Sequence, residues 1–217
     1  MKKTLLIIAA MVLVCCISVL GTLAFLKDQT SGITNTFTAG EDLTEDDEKT
    51  DDYTEGLHLY EYEVTKNDDG SYTLGDPETK LAEGTGYDGY KLLPGLTLPK
   101  KAAVKVDGKT ETPAYLYIEV VDELPEEDLT YSVDSENWTL LADVTGPNGG
   151  DVYASTLGRI KADTVEITIL TDNKITIADD FDVTSVTGSK TLSFYAYLAQ
   201  ASAGKDAKTA FEACFGN

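Results

Sequence analysis

The feature that most constrains the fold is a series of short β-prone runs that begins near Gly56. Thr, Val, Ile and Tyr are concentrated in these runs, and Gly, Pro, Asn or Asp interrupts them every eight to fifteen residues. This spacing favours an all-β chain that folds as an antiparallel β-sandwich. A hairpin is predicted within residues 58–74, with its turn at Asp69 and Gly70, because this pair tolerates the positive φ of a tight turn. Further strands are predicted at residues 102–106, 114–121, 130–133, 138–142, 151–154, 165–170, 174–177 and 192–199.

Two of the predicted strands alternate regularly enough for a core face to be assigned, because side chains on one face of a strand recur at every second residue. In residues 192–199 the inward positions are Leu192, Phe194, Ala196 and Leu198. In residues 114–121 the inward positions are Leu116, Ile118 and Val120, and the outward positions are Tyr115, Tyr117 and Glu119. Trp138 is also predicted to lie in the core.

The only helix predicted after the N-terminal apolar run follows Gly204. Apolar residues recur there at the spacing of one buried helix face, at Ala207, Ala210, Phe211, Cys214 and Phe215. Cys214 is therefore predicted to pack as a small apolar side chain. The alternative is that its thiol pairs two chains outside the reducing cytoplasm.

Residues 1–24 have the form of a secretion signal. Lys2 and Lys3 precede an apolar run, and Thr22 and Ala24 supply the small residues that a signal peptidase requires before its cleavage site. Cleavage after Ala24 would make Phe25 the first residue of a mature chain of 193 residues out of 217. The alternative is an uncleaved membrane anchor, because residues 5–26 are mostly apolar and a transmembrane helix needs about 20 residues. The chain is expected to be secreted, either to the extracellular space or to the cell surface.

Residues 21–40, with the sequence GTLAFLKDQTSGITNTFTAG, resemble the signal and mature start of the TasA and camelysin family, which Gram-positive bacteria secrete through a signal peptidase of the SipW type. Residues 90–106 and 192–216 are similar to two further segments of that family. The family's T-x-A, aromatic, Asp and N-T-F-x-x-G pattern is matched by Thr22, Ala24, Phe25, Asp28, Asn35, Thr36, Phe37 and Gly40. The resemblance implies a jelly-roll domain that acts as a subunit of extracellular fibres or biofilm matrix.

These observations divide the chain into a signal at 1–24, an N-terminal strand segment at 25–40, an acidic linker at 41–55 and a β domain at 56–217. Nine of the fifteen linker residues are acidic and only Lys49 opposes them, so the linker is predicted to stay solvated. The spacing of an EF-hand is absent, which leaves weak attraction of divalent cations as the expected property of the linker. The formal charge of −21 excludes nucleic acid as a partner, because phosphates would be repelled.

The N-terminal segment contains a short strand whose alternate residues are Ile33, Asn35, Phe37 and Ala39. A strand on a long flexible linker can leave its own body and complete the sheet of a neighbour through main-chain hydrogen bonds. The family resemblance implies this head-to-tail route and makes residues 25–40 the donor segment. The alternative is an ordinary edge strand that pairs within its own subunit.

Enzymatic chemistry is not favoured by the residue types present. His58 is the only histidine, so neither an H-E-x-x-H motif nor a zinc site of two or three histidines can be built. His58 is instead predicted to be a surface or half-buried residue of a strand. The sequence predicts no catalytic, cofactor-binding or metal-binding residues, which disfavours the peptidase activity associated with camelysin.

Two functions of different classes remain from the sequence. The first is a secreted structural protein that forms a head-to-tail homopolymer, or joins other matrix proteins, by donating its N-terminal strand. The second is a monomeric surface adhesin or binding module that presents exposed tyrosines to proteins or glycans, at Tyr115, Tyr117, Tyr195 and Tyr197.

Overall fold

The structure, a computed structural model, consists mainly of β-strands with one short helix near the C-terminus. The prediction of an all-β chain that ends in a short helix is therefore confirmed. The residues that the structure describes are 28–29, 33–37, 57–76, 78–87, 89–106, 113–125, 128–160, 164–184 and 190–216. Of these, residues 28–29 and 33–37 are described by their backbone alone. The predicted signal at 1–24 and the acidic linker at 41–55 lie outside these ranges.

Fourteen strands and one α-helix lie within the described residues. They are β1 (Asp28–Gln29), β2 (Ile33–Phe37), β3 (Leu57–Glu61), β4 (Val64–Lys66), β5 (Tyr72–Leu74), β6 (Thr97–Pro99), β7 (Ala102–Val106), β8 (Ala114–Asp122), β9 (Leu129–Thr130), β10 (Trp138–Thr145), β11 (Asp151–Ile160), β12 (Val165–Thr168), β13 (Lys174–Ile177), β14 (Lys190–Gln200) and α1 (Ala207–Phe215).

The largest sheet has the strand order β1-β14-β8-β11-β10, and β2 also pairs with β14. Two three-stranded sheets have the orders β12-β7-β3 and β6-β13-β9, and β4 and β5 form a separate hairpin. Every pairing within these sheets is antiparallel. Apart from the consecutive strands β10 and β11, neighbours in the largest sheet are distant in sequence, so most of its strands come together only through tertiary packing.

One hydrophobic core joins the large sheet to the three-stranded sheets. Leu116, Ile118 and Phe194 of the large sheet share this core with Leu59 of β3 and Val104 of β7. The predicted core faces of residues 114–121 and 192–199 are confirmed, because all their inward residues are buried. The predicted core position of Trp138 is also confirmed, and its indole N–H donates to the carbonyl oxygen of Thr168 at 2.8 Å.

The helix α1 covers the other face of the large sheet. Phe211 lies 5.0 Å from the ring of Tyr117 and 5.7 Å from that of Tyr197, both edge to face. Tyr115, Tyr117 and Glu119 do point away from the main core, as predicted. The prediction that they lie on the outside of the protein was wrong, because α1 and the β10–β11 turn bury all three. This face of the sheet is therefore a second core, and it is not a solvent surface.

The start of α1 and the face that it buries both follow from its sequence. Asp206 caps the helix by accepting from the backbone N–H of Thr209 at 2.8 Å, and this hydrogen bonding lowers the pKa of Asp206. The predicted apolar face is confirmed, since Ala210, Phe211 and Phe215 are buried. Cys214 is half-buried against the same cluster.

The residues at turns and bulges explain which predicted strand boundaries agree with the structure and which differ from it. The predicted hairpin turn is confirmed between β4 and β5, where Gly70 has a φ of 84°. The strand predicted to end at residue 154 continues to Ile160 in β11, because a register shift and a φ of 69° at Gly158 let the chain bulge and resume pairing.

Replacing Phe211 by Ala should destabilise the protein by about 3–5 kcal/mol, because it opens a cavity between α1 and the large sheet. Urea unfolding monitored by tyrosine and tryptophan fluorescence would measure the loss. Glu212→Ala on the exposed side of α1 is the matched control and should change stability little. An unfolding midpoint for Phe211→Ala that equals the control would show that α1 does not seal the second core.

Candidate functional site

The N-terminal segment lies along one edge of β14, within its own chain. In β2, Ile33 stands opposite Phe194 and Phe37 stands opposite Lys190, while in β1 Asp28 stands opposite Leu198. The predicted donor positions Ile33, Asn35 and Phe37 therefore fall in β2. The remaining predicted site residues lie outside the described ranges, and they are Ala39 and the cleavage-site residues Thr22, Ala24 and Phe25.

The edge that β1 and β2 occupy belongs to a buried strand. On its other side β14 pairs with β8 from Leu192, opposite Asp122, to Gln200, opposite Ala114. Phe194 and Ala196, in the middle of β14, are fully buried. Without β1 and β2, the unpaired backbone groups of β14 would form a template for another strand.

The opposite edge of the large sheet is built differently. The register of β10 shifts between Leu140 and Thr145, and Asp143 in this bulge has a φ of 63°. The Lys208 ammonium of α1 donates to the carbonyl oxygen of Ala142 at 2.6 Å. Bulges and lysines at an edge discourage the addition of a further strand. The two edges of the large sheet therefore differ in their capacity to pair.

A fully buried ion pair lies in the main core. The Lys100 ammonium, just after β6, is 2.7 Å from Oε2 of Glu61 at the end of β3, and both side chains are 0% exposed. Burial lowers the pKa of Lys100, because desolvation outweighs the stabilising charge of Glu61. Such a pair stabilises little in net terms, but removal of one partner leaves an uncompensated buried charge.

Aromatic rings surround this pair. The Lys100 ammonium is 5.7 Å from the centroid of the Phe194 ring on β14. Burial, together with the nearby charge of Glu61, raises the pKa of Tyr90, whose hydroxyl donates to the carbonyl oxygen of Pro99. The pair is thus held among segments from three different parts of the chain.

A second buried carboxylate, Glu119 of β8, fixes the β10–β11 turn on the opposite face of the large sheet. It accepts hydrogen bonds from the backbone N–H groups of Asn148 and Gly150 at 2.8 and 2.9 Å, from the Asn148 amide at 2.9 Å and from the Tyr197 hydroxyl at 2.5 Å. A Cβ atom at Gly146 would come within 2.2 Å of this carboxyl group. The backbone of the turn is therefore held in close contact with the Glu119 carboxylate by these hydrogen bonds. This contact explains why a charged residue lies within an apolar strand.

The other residues that sequence reasoning singled out have structural roles. His58 lies in β3 as predicted, but it is only 2% exposed, and its Nδ1 is 3.2 Å from a carboxylate oxygen of Glu83. Tyr115, Tyr117 and Tyr197 are buried and Tyr195 packs beside them, so the predicted exposed tyrosine face does not form.

Among the residues that the structure describes, no three His, Cys, Asp or Glu side chains are placed to hold a metal ion. Two shallow clefts lie on the surface of the described residues. One, of about 240 Å³, is lined by hydroxyl groups on and near β9 and β13 together with Asp172 and Lys174. The other, of about 320 Å³, lies between α1 and the β10–β11 turn. Within the described part of the chain, no helix is long and apolar enough to cross a membrane.

Comparisons with protein-family models, with curated proteins and with solved structures give no match to this chain.

Replacing Glu61 by Gln should destabilise the protein by about 3–5 kcal/mol, because it leaves the Lys100 ammonium buried without a counter-charge. The matched control is Glu78→Gln, which breaks the more exposed pair with Lys101 and should cost at most about 1 kcal/mol. Urea unfolding at neutral pH measures both. Equal stabilities for the two variants would show that the buried charge is not sensitive to its partner.

Proposed function

We propose that this chain is a secreted structural protein of the TasA and camelysin type. In this proposal, a jelly-roll subunit joins extracellular fibres or biofilm matrix by giving its N-terminal strand to the next copy. The observation that carries the proposal is the pairing of β1 and β2 with the edge of β14, which is the connection that a donated strand would make.

The length of the connection supports exchange between copies. Nineteen residues, 38–56, separate the end of β2 from the start of β3. A chain of this length spans at most ~65 Å when extended and roughly 25 Å as a flexible coil. The N-terminal segment can therefore reach β14 of a neighbouring copy while its own body stays folded.

The energetics also support exchange. A segment that moves from its own β14 to that of a neighbour makes the same main-chain hydrogen bonds in both places, so the exchanged form loses no pairing. Each copy would then donate at one end and accept at the other. A contact of this kind does not close on itself, and it propagates as a filament.

The difference between the two sheet edges supports a single direction of growth. The bulge at Asp143 and the hydrogen bond from Lys208 to Ala142 disfavour pairing at β10. Assembly would accordingly use the β14 edge and leave the β10 edge facing solvent.

The alternative functions have less support. The adhesin proposal depended on an exposed tyrosine face, and those tyrosines are packed under α1. The peptidase proposal has one histidine available, and His58 is buried beside Glu83.

The first test is the substitution Phe37→Asp in the mature chain. A charge at this β2 position should abolish filaments seen by negative-stain microscopy, while circular dichroism still reports a folded β protein. Thr36→Asp, at the adjacent position of the same strand, is the control and should assemble. Filaments from Phe37→Asp as abundant as those from the unmodified chain would remove β2 from the contact.

A second test uses charge. Loss of Lys2 and Lys3 with the signal would change the formal charge from −21 to −23, so copies repel one another. Assembly should increase with added salt, with divalent cations, or as the pH falls toward the pI of 4.2. Light scattering between pH 7 and pH 4.5 measures this, and scattering that is indifferent to pH and salt would contradict it.

A further inference from the structure

Lys100 and Asn173 are neighbours just beyond the end of the β6–β13 ladder. The backbone N–H of Lys100 donates to the carbonyl oxygen of Asn173 at 2.7 Å, and the next pair in the ladder is Pro99 with Lys174. Both residues lie one position beyond the paired strands, with Lys100 after the end of β6 and Asn173 at the end of a short 3₁₀ turn before β13. The backbone hydrogen bond keeps them adjacent, and a lysine side chain, with its four methylene groups, is long enough to reach across such a pair.

Asn173 is held in an unusual way. Its φ of 51° lies in the left-handed region, which costs free energy for a residue other than Gly. Its Oδ1 atom is buried and accepts no hydrogen bond from the residues that the structure describes. Buried polar atoms are normally satisfied, so this carboxamide calls for an explanation. The residue as a whole is only half-buried, which leaves a path to solvent.

Lys100 carries a buried amine that could act as a nucleophile. Its amine is 0% exposed, and its hydrogen-bond partner is the carboxylate of Glu61 at 2.7 Å. A desolvated lysine gives up its proton more readily, and the adjacent carboxylate can receive that proton. The aromatic ring of Phe194 beside the amine helps to exclude water.

We propose that Lys100 and Asn173 join in an intramolecular isopeptide bond, with Glu61 as the proton-transfer residue. The Lys100 ammonium passes a proton to Glu61, and the neutral amine attacks the Asn173 carboxamide carbon once that group has turned toward it. A C–N bond forms between the two side chains, the bond from that carbon to Nδ2 breaks, and Nδ2 leaves as an ammonium ion. Glu61 transfers the two protons that the attacking nitrogen loses to the leaving nitrogen and ends ionised, so no oxidant or co-reactant is needed.

The proposed bond would tie the end of β6 to the start of β13 and close a loop from residue 100 to residue 173. Cross-links over long loops restrict the unfolded chain. This inference does not depend on the proposed strand exchange, because it concerns the folded body of one copy.

Intact mass spectrometry of the denatured, reduced full chain tests the proposal. The unmodified protein should be lighter than its sequence by about 17 Da, the mass of one ammonia. Digestion should yield a branched peptide that joins residues 100 and 173. A mass equal to that of the sequence would overturn the proposal.

Variants exclude other sources of the same loss. Asn148 precedes Gly149, and succinimide formation at such a pair also releases ammonia. The loss should vanish in Lys100→Arg, Asn173→Ala and Glu61→Gln, and should persist in the neighbouring control Lys101→Arg. A loss that survives Lys100→Arg or Asn173→Ala would place the lost ammonia elsewhere and overturn the proposal.

Discussion

The pairing of β14 on both of its sides is the interaction on which the rest of the structure depends. β8 pairs with one side along almost the whole strand, and β1 and β2 pair with the other. One face of β14 lines the main core and the other lies under α1, so both hydrophobic clusters depend on this strand being in place. A buried strand with one of its two partners on a long tether can be completed by its own chain or by another copy.

Buried charges fix the arrangement around that strand. Glu61 and Lys100 connect β3 with the end of β6 beside Phe194, and Glu119 holds the β10–β11 turn against the opposite face of the sheet. Each carboxylate would be costly without its partners, because desolvation of an ion is opposed only by close hydrogen bonds or a counter-charge. These contacts therefore favour one arrangement of the strands over others that would bury the same apolar area.

The elements that could be predicted from the sequence are those set by local patterns. Alternation in residues 192–199 identified the core face of β14, and helical spacing identified the buried face of α1. The surface against which α1 packs could not be predicted, because the outward tyrosines of β8 and β14 are equally compatible with a face that is exposed to solvent. The expected exposure of Tyr117 and Tyr197 was wrong for this reason.

The buried charges were missed for a related reason. Glu61 ends the apolar strand β3 and Glu119 lies within the apolar strand β8, and an acidic residue next to apolar residues was the only available signal. Their partners Lys100 and Asn148 are distant in sequence, so only the tertiary fold brings them together. The pairing of β2 with β14 was likewise left open, because alternation in residues 33–39 is equally compatible with a strand paired in its own subunit and with a donated one.

The most direct test of the central claim, that this strand is exchanged between copies, is a disulfide trap across the β2–β14 ladder. Thr34 and Ser193 are directly opposed, so the variant Thr34→Cys, Ser193→Cys, made with Cys214→Ala, should form a disulfide at this pair. Strand exchange predicts a ladder of covalent dimers, trimers and longer chains on a non-reducing gel, and each single-cysteine variant should lack that ladder. A cross-linked monomer alone, under conditions in which the unmodified chain assembles, would show that the strand remains in its own subunit and would contradict the account.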